Sequence, residues 1–243
     1  MNKLATALYL STVLAAVTPV ANAYWEYNYL LGASAGYADL GGNINYSTTE
    51  ALRSSQMLSH SGNGFIWGVL GGVQATCNNW LFGAELSLDW HDFEESSQYA
   101  VMTANMANVD VPGVVNARYD RGTIVGFSLR AGYEMAPFFL PYFRVGGETS
   151  NDKFSTYGSF VTAGSPFFNL EDSKNVYRFL LGIGVELPLR TIPGLAFRGE
   201  YNYHSKGKVI KSEGPTSIGA TNVITSMKPD THAAKFSVVW NFV

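Results

Sequence analysis

Cysteine occurs once in this 243-residue chain, at Cys77, so no intramolecular disulfide can staple the fold. Charge is also scarce. Asp, Glu, Lys and Arg make up 14% of the residues, against roughly 25% in an ordinary soluble domain. With 16 basic and 19 acidic residues the net charge is −3, and the basic footprint of a nucleic-acid-binding protein is missing. Beyond Ala23 no run of about 18 apolar residues occurs, which excludes a transmembrane helix. Walker loops, zinc signatures and dinucleotide fingerprints are absent as well, and Gly pairs such as those in "GVLGG" lie inside extended segments where they allow close packing.

What is present begins with "MNKLATALYLSTVLAAVTPVANA". Lys3 supplies a positive start, Leu4 to Val17 an apolar core, and Ala21-Asn22-Ala23 a small-x-small cleavage site. Residues 1–23 therefore read as a secretory signal peptide cleaved between Ala23 and Tyr24, leaving 24–243 as one domain. The chain holds 25 Gly, and aromatic residues reach 14%. An exported chain that is poor in charge, rich in aromatics and without a spanning helix can still cross a membrane by closing a β-barrel.

The stretch "LFGAELSLDWHDF" shows the pattern such a barrel needs. Phe82, Ala84, Leu86, Leu88 and Trp90 share one face of an extended chain, and Gly83, Glu85, Ser87, Asp89 and His91 the other. Similar alternation marks eight segments, roughly 26–40, 63–77, 80–92, 120–135, 141–150, 175–187, 195–204 and 232–243. The intervening gaps alternate between short, such as Asn78-Asn79 or "PLRTIPG", and long and polar, at about 41–62, 93–119, 151–174 and 205–231. This predicts an all-β, eight-stranded antiparallel transmembrane up-and-down barrel with short periplasmic turns and four long extracellular loops.

One face of these segments is aliphatic at its centre and aromatic at its ends, which suits lipid. The opposite face gathers Gly with Glu85, Asp89, Glu134, Glu148, Glu186 and Glu200, and with Arg130, Arg144, Arg178, Arg198 and Lys235. Eight strands enclose a lumen just wide enough for side chains, so these charges face inward and have to be paired. Comparable depth on neighbouring strands suggests Glu85–Arg130, Glu134–Arg144, Glu148–Arg178 and Glu186–Arg198 as a salt-bridge plug. A proton or ion path through the same charges is the functional alternative.

The C-terminal "KFSVVWNF" fits the signal read by the barrel assembly machinery, with Lys235, Trp240 and Phe242 at its key positions. "LAFRGEYNYH", and "FIWGVLGGVQ" followed by "WLFGAELSLDW", resemble strands of the opacity-protein and outer-membrane-protein-A-like eight-stranded barrels. The resemblance covers essentially all of residues 24–243. It implies localisation in the cell outer membrane, contact with outer-membrane lipid, assembly by that machinery, and a monomer. It says little about chemistry.

His60, His91, His204 and His232 all fall near the extracellular rim, where haem or a metal could be held, although no pair has ligand spacing. Glu200, His204 and Ser205 are the one local set resembling a catalytic constellation, but the inward parity of Glu200 and His204 faces away from a lipid substrate. The sequence thus implies no enzyme, no cofactor and no nucleic acid. The expected function is surface display: four loops that contact a host cell or extracellular ligand through residues such as Met57, Leu58, Tyr99, Met102, Met106, Phe160, Phe167 and Phe168. A narrow channel for small solutes, or rim binding of haem or metal, are the other readings.

Overall fold

A computed structural model of the chain describes residues 25–48, 55–92, 95–104, 110–160, 166–207, 209–216 and 219–242; the leader, 1–23, lies outside them. Ten strands form: β1 (Trp25–Thr48), β2 (Ser55–Cys77), β3 (Trp80–His91), β4 (Glu95–Ala104), β5 (Asp110–Tyr133), β6 (Leu140–Phe160), β7 (Pro166–Pro188), β8 (Leu195–His204), β9 (Ile210–Thr216) and β10 (Gly219–Phe242). Eight of them close an antiparallel ring in the order β1-β2-β3-β5-β6-β7-β8-β10. The closing seam runs from Tyr29 opposite Phe242 to Thr48 opposite Val223, so the ring has no edge there.

The short turns follow from their residues. Asn78, at φ 55°, occupies the left-handed region that a tight two-residue hairpin requires and that Asn tolerates. In the turn from β5 to β6 the Phe139 amide donates to the Ala136 carbonyl at 2.8 Å, with Pro137 fixing the bend. In the turn from β7 to β8, Gly194 sits at φ 85°, and its carbonyl accepts a 2.7 Å bond from the Asn241 amide. That bond ties the turn to the end of β10.

Near the turns, the outer wall is apolar. Leu31, Val69, Leu86, Phe127, Leu129, Phe143, Phe179, Ile183 and Phe236 are all exposed. Aromatic rings bound this band on both sides. Tyr27, Tyr29, Trp80, Tyr133, Trp240 and Phe242 lie toward the turns, with Tyr37, Phe65, Trp67, Tyr177 and Tyr201 toward the long connections. Trp67 stacks on Trp90 across β2 and β3 at 4.7 Å between centroids. A rough 10-residue band between two rings of aromatics is the lipid-facing surface of a barrel.

The segments expected as long loops are largely strand. Beyond the band, β1, β2, β5, β6, β7 and β10 continue, and β4 and β9 form alongside β5 and β10. Among the described residues, no ladder joins β2 to β4 or β7 to β9 at this level. The ring therefore divides into two four-stranded sheets, β9-β10-β1-β2 and β4-β5-β6-β7. They pack face to face over an apolar core. Leu40, Ile44, Ile210 and Met227 from one sheet meet Ala117, Tyr119, Phe154 and Val176 from the other. A second layer joins Tyr46 and Val223 to Val115, Phe168 and Leu170.

The polarity of the strands inverts at this level. In β1 the outward residues are Leu31 and Tyr37 within the band and Asp39, Asn43 and Asn45 above it, while Leu40, Ile44 and Tyr46 turn inside. Lipid outside demands apolar-out; water outside demands the reverse. Phe168 and the half-buried Tyr99 accordingly join the inner core instead of offering loop contacts, whereas Met57 stays 69% exposed. The side chains of Leu58, Met102, Met106, Phe160 and Phe167 lie outside the described set.

Candidate functional site: the charged interior

Period two points every second residue of each ring strand inward, and these positions hold the chain's buried charges. At the lowest charged level, Glu85 (β3), Arg130 (β5), Glu186 (β7) and Arg198 (β8) form a closed cycle. Arg130 Nε stands 3.0 Å from Glu85, and Arg130 Nη1 2.6 Å from Glu186. Arg198 Nε lies 2.9 Å from Glu186 and Arg198 Nη1 2.8 Å from Glu85. Arg130 also donates to Gln74 on β2. Each cation faces two carboxylates and each carboxylate two cations, so the cycle is neutral and crosses the interior. Large inward groups fit because their neighbours are small: a Cβ at Gly184 would stand 2.6 Å from the Tyr142 ring.

Further toward the outer rim, Arg144 on β6 reaches Glu200 on β8 at 3.0 Å and donates to Ser128 at 2.8 Å. The Tyr142 hydroxyl donates to the other Glu200 oxygen. Lys235 on β10 pairs with Asp89 on β3, again across the interior. At the rim itself Arg121 pairs with Glu148, and His204 Nδ1 stands 2.8 Å from the same carboxylate. Arg178 pairs with Asp152, which accepts from Tyr119 and Ser150, each at 2.7 Å. Above the lipid band, burial pushes the Tyr119 phenol above its ordinary pKa, so it stays a donor. Among the described residues the buried carboxylates and the buried Arg and Lys side chains balance, six against six, with His204 beside Glu148. Fixing groups of opposite sign this closely offsets the desolvation that burial costs.

Of the pairs expected from adjacent depth, Glu85–Arg130 and Glu186–Arg198 form. The other two do not. Glu134 ends at the turn, half-exposed, where its carbonyl accepts from Asn79, and Arg144 bonds Glu200 in its place. Glu148 takes Arg121 and His204, while Arg178 takes Asp152. Long guanidinium stems reach across a narrow interior, so depth on neighbouring strands does not decide the partner.

Simple alternation counted back from Ile124 places Arg121 outside. A bulge overturns that. Gly122 and Thr123 together oppose Asn151, which flips the parity and turns Arg121 in. Asp152 falls in 151–174, a segment whose polar composition predicts a loop, and lies instead within β6. Neither has a local sequence signal, although "DRGT" carries a Gly where a bulge would need one.

The described histidines do not converge. His91 and His204 point inward, whereas His232 lies on the outer wall, its Nδ1 2.8 Å from the Tyr201 hydroxyl. The side chain of His60 falls outside the described set. Among the described residues no three His, Cys, Asp or Glu side chains are placed to hold a metal ion. Nor do Glu200, His204 and Ser205 assemble. His204 faces Glu148, Glu200 is held by Arg144 and Tyr142, and Ser205 Oγ accepts from the Phe179 amide at 3.0 Å. At the end of β10, Trp240 and Phe242 are exposed on the lipid face, while Lys235 is inside.

No curated protein sequence matches the chain. Among solved structures it is similar to Ail, the attachment invasion locus protein of Yersinia pestis, at 12% identity over 84% of this chain and 97% of that one, with a TM-score of 0.33. It is similar to Neisserial surface protein A at 14% identity over 86% and 96%, TM-score 0.34. OprG from Pseudomonas aeruginosa shares 12% identity over 87% and 95%, TM-score 0.41. The family model described as outer membrane protein beta-barrel domain matches residues 7–242. The chain belongs to that family, and its place is the outer membrane.

Proposed function

We propose that this protein is a closed barrel that displays an extracellular two-sheet head for contact with a host cell or another extracellular ligand, and that it contributes to envelope structure without catalysis. The observation that carries this reading is the filling of the interior. The cycle of Glu85, Arg130, Glu186 and Arg198 spans the lumen at one level, and two apolar layers from Leu40 to Phe168 fill the space above the rim. A conducting pore would favour unpaired charge of one sign along a continuous water path; paired, neutral levels speak for a plug. Within the lipid band the strands are committed to lipid outside and to packing inside, which leaves recognition to the head. Export through cleavage between Ala23 and Tyr24, and insertion as a monomer by the barrel assembly machinery through Lys235, Trp240 and Phe242, complete the reading.

Replacing 41–62, 93–119, 151–174 and 205–231 by tight turns tests it. The trimmed barrel is expected to insert and to migrate heat-modifiably while losing adhesion to host cells. Trimmed protein that still binds those cells places recognition in the strands and refutes the proposal.

A further inference from the structure

The outer wall carries a groove that strand packing does not require. Its volume is about 660 Å³, and Trp80, Tyr133, Phe143, Ile183, Gly199 and Tyr201 line it. Gly199, in the middle of β8, forms its floor. The inward Gly184 has a steric reason, the Tyr142 ring; Gly199 has none, because a Cβ there would meet nothing within 4 Å. Glycine inside a strand weakens it, and the open space outside Gly199 leaves room for close approach from the membrane side.

The surroundings state what approaches. Ile183 is 62% exposed and Phe143 48%, on a face that looks into the lipid band. Trp80 and Tyr133, in edge contact at 5.0 Å, wall the groove on its β3–β5 side, and Tyr201 stands across from them on β8. A ring-lined apolar groove inside the band suits a hydrocarbon chain. Charge at the turn end indicates which lipid supplies it. The turns joining β5 to β6 and β7 to β8, whose strands wall the groove, bring Phe138 and Arg190 together, the guanidinium 5.6 Å over the ring. Arg190 is the sole cation in the three short turns. A guanidinium braced on an aromatic ring at a membrane surface matches a phosphate.

We propose that this groove binds one acyl chain of a phospholipid from the periplasmic leaflet, with the head-group phosphate set against Arg190. The inference rests on the orientation that puts the short turns in the periplasm. It is tested by native mass spectrometry of protein purified from outer membranes in mild non-ionic detergent, then titrated with phosphatidylglycerol. Wild-type protein is expected to retain one phospholipid. Gly199→Phe, which fills open space, lowers the retained fraction about tenfold, and Arg190→Gln weakens phosphatidylglycerol binding about tenfold, the scale of one charge-assisted contact. Val69→Phe, elsewhere on the lipid face, leaves both unchanged, and heat-modifiable migration reports that each variant is closed. Equal retention by wild type and Gly199→Phe, or no effect of Arg190→Gln, overturns the proposal. Retention of lipid A in place of phospholipid overturns the assignment to the periplasmic leaflet while leaving the surface-display reading intact.

Discussion

Arg198 on β8 reaches across the barrel to Glu85 on β3, its Nη1 2.8 Å from the carboxylate, while its Nε holds Glu186 on β7 at 2.9 Å. Residues 113 positions apart in sequence are thereby joined through the lumen. Strands that are not neighbours in the ring become one unit.

That cycle makes an energetic prediction. Arg130→Met leaves Glu85 and Glu186 sharing Arg198, one cation for two buried carboxylates, and is expected to cost about 3–5 kcal/mol. Removing Glu85 together with Arg130 leaves the neutral Glu186–Arg198 pair and costs much less. Urea titration of the heat-modifiable form measures both; equal losses for the single and the double variant contradict the cycle.

The two-sheet head is expected to depend on its own core. Phe154 is fully buried between the sheets, and Phe154→Ala should cost about 3–5 kcal/mol within the head. Protease added to intact cells should then cut the extracellular half faster while the lipid-embedded strands stay protected. An unchanged cleavage pattern would show that the two sheets do not depend on this contact.

The bulge at Gly122 assigns Arg121 to the interior, where it pairs with Glu148. Arg121→Met removes that partner while leaving the bulge in place, and should destabilise the rim by a few kcal/mol because Glu148 keeps only His204 beside it. Adding Glu148→Gln should recover most of that loss. Failure of the second change to rescue the first would remove Arg121 from the charge network.

Signal removal is a separate prediction. Mature protein from outer membranes should begin at Tyr24, and N-terminal sequencing decides it. An intact Lys3 in the mature protein contradicts cleavage.

The barrel was legible because its strands repeat one rule. From Leu81 to His91 every second residue is apolar, and the inward set beginning at Glu85 stands out by its charge. The head obeys the opposite rule, so apolar-out alternation does not mark it. Ile44 and Tyr46, or Val115, Ala117 and Tyr119, alternate as regularly as the band does, but with polar residues facing water. Partner choice inside the lumen was half legible. Glu85–Arg130 and Glu186–Arg198 follow from adjacency, whereas Arg144–Glu200 and Lys235–Asp89 depend on reach across the interior, which one chain's spacing does not encode.

Single-channel recording in planar bilayers tests the central claim most directly. A lumen spanned by the cycle of Glu85, Arg130, Glu186 and Arg198 and covered by an apolar head should give no conductance steps with wild-type protein. Stable ohmic steps from the wild-type barrel, altered in size by Glu85→Ala, would contradict the plug and make the protein a channel.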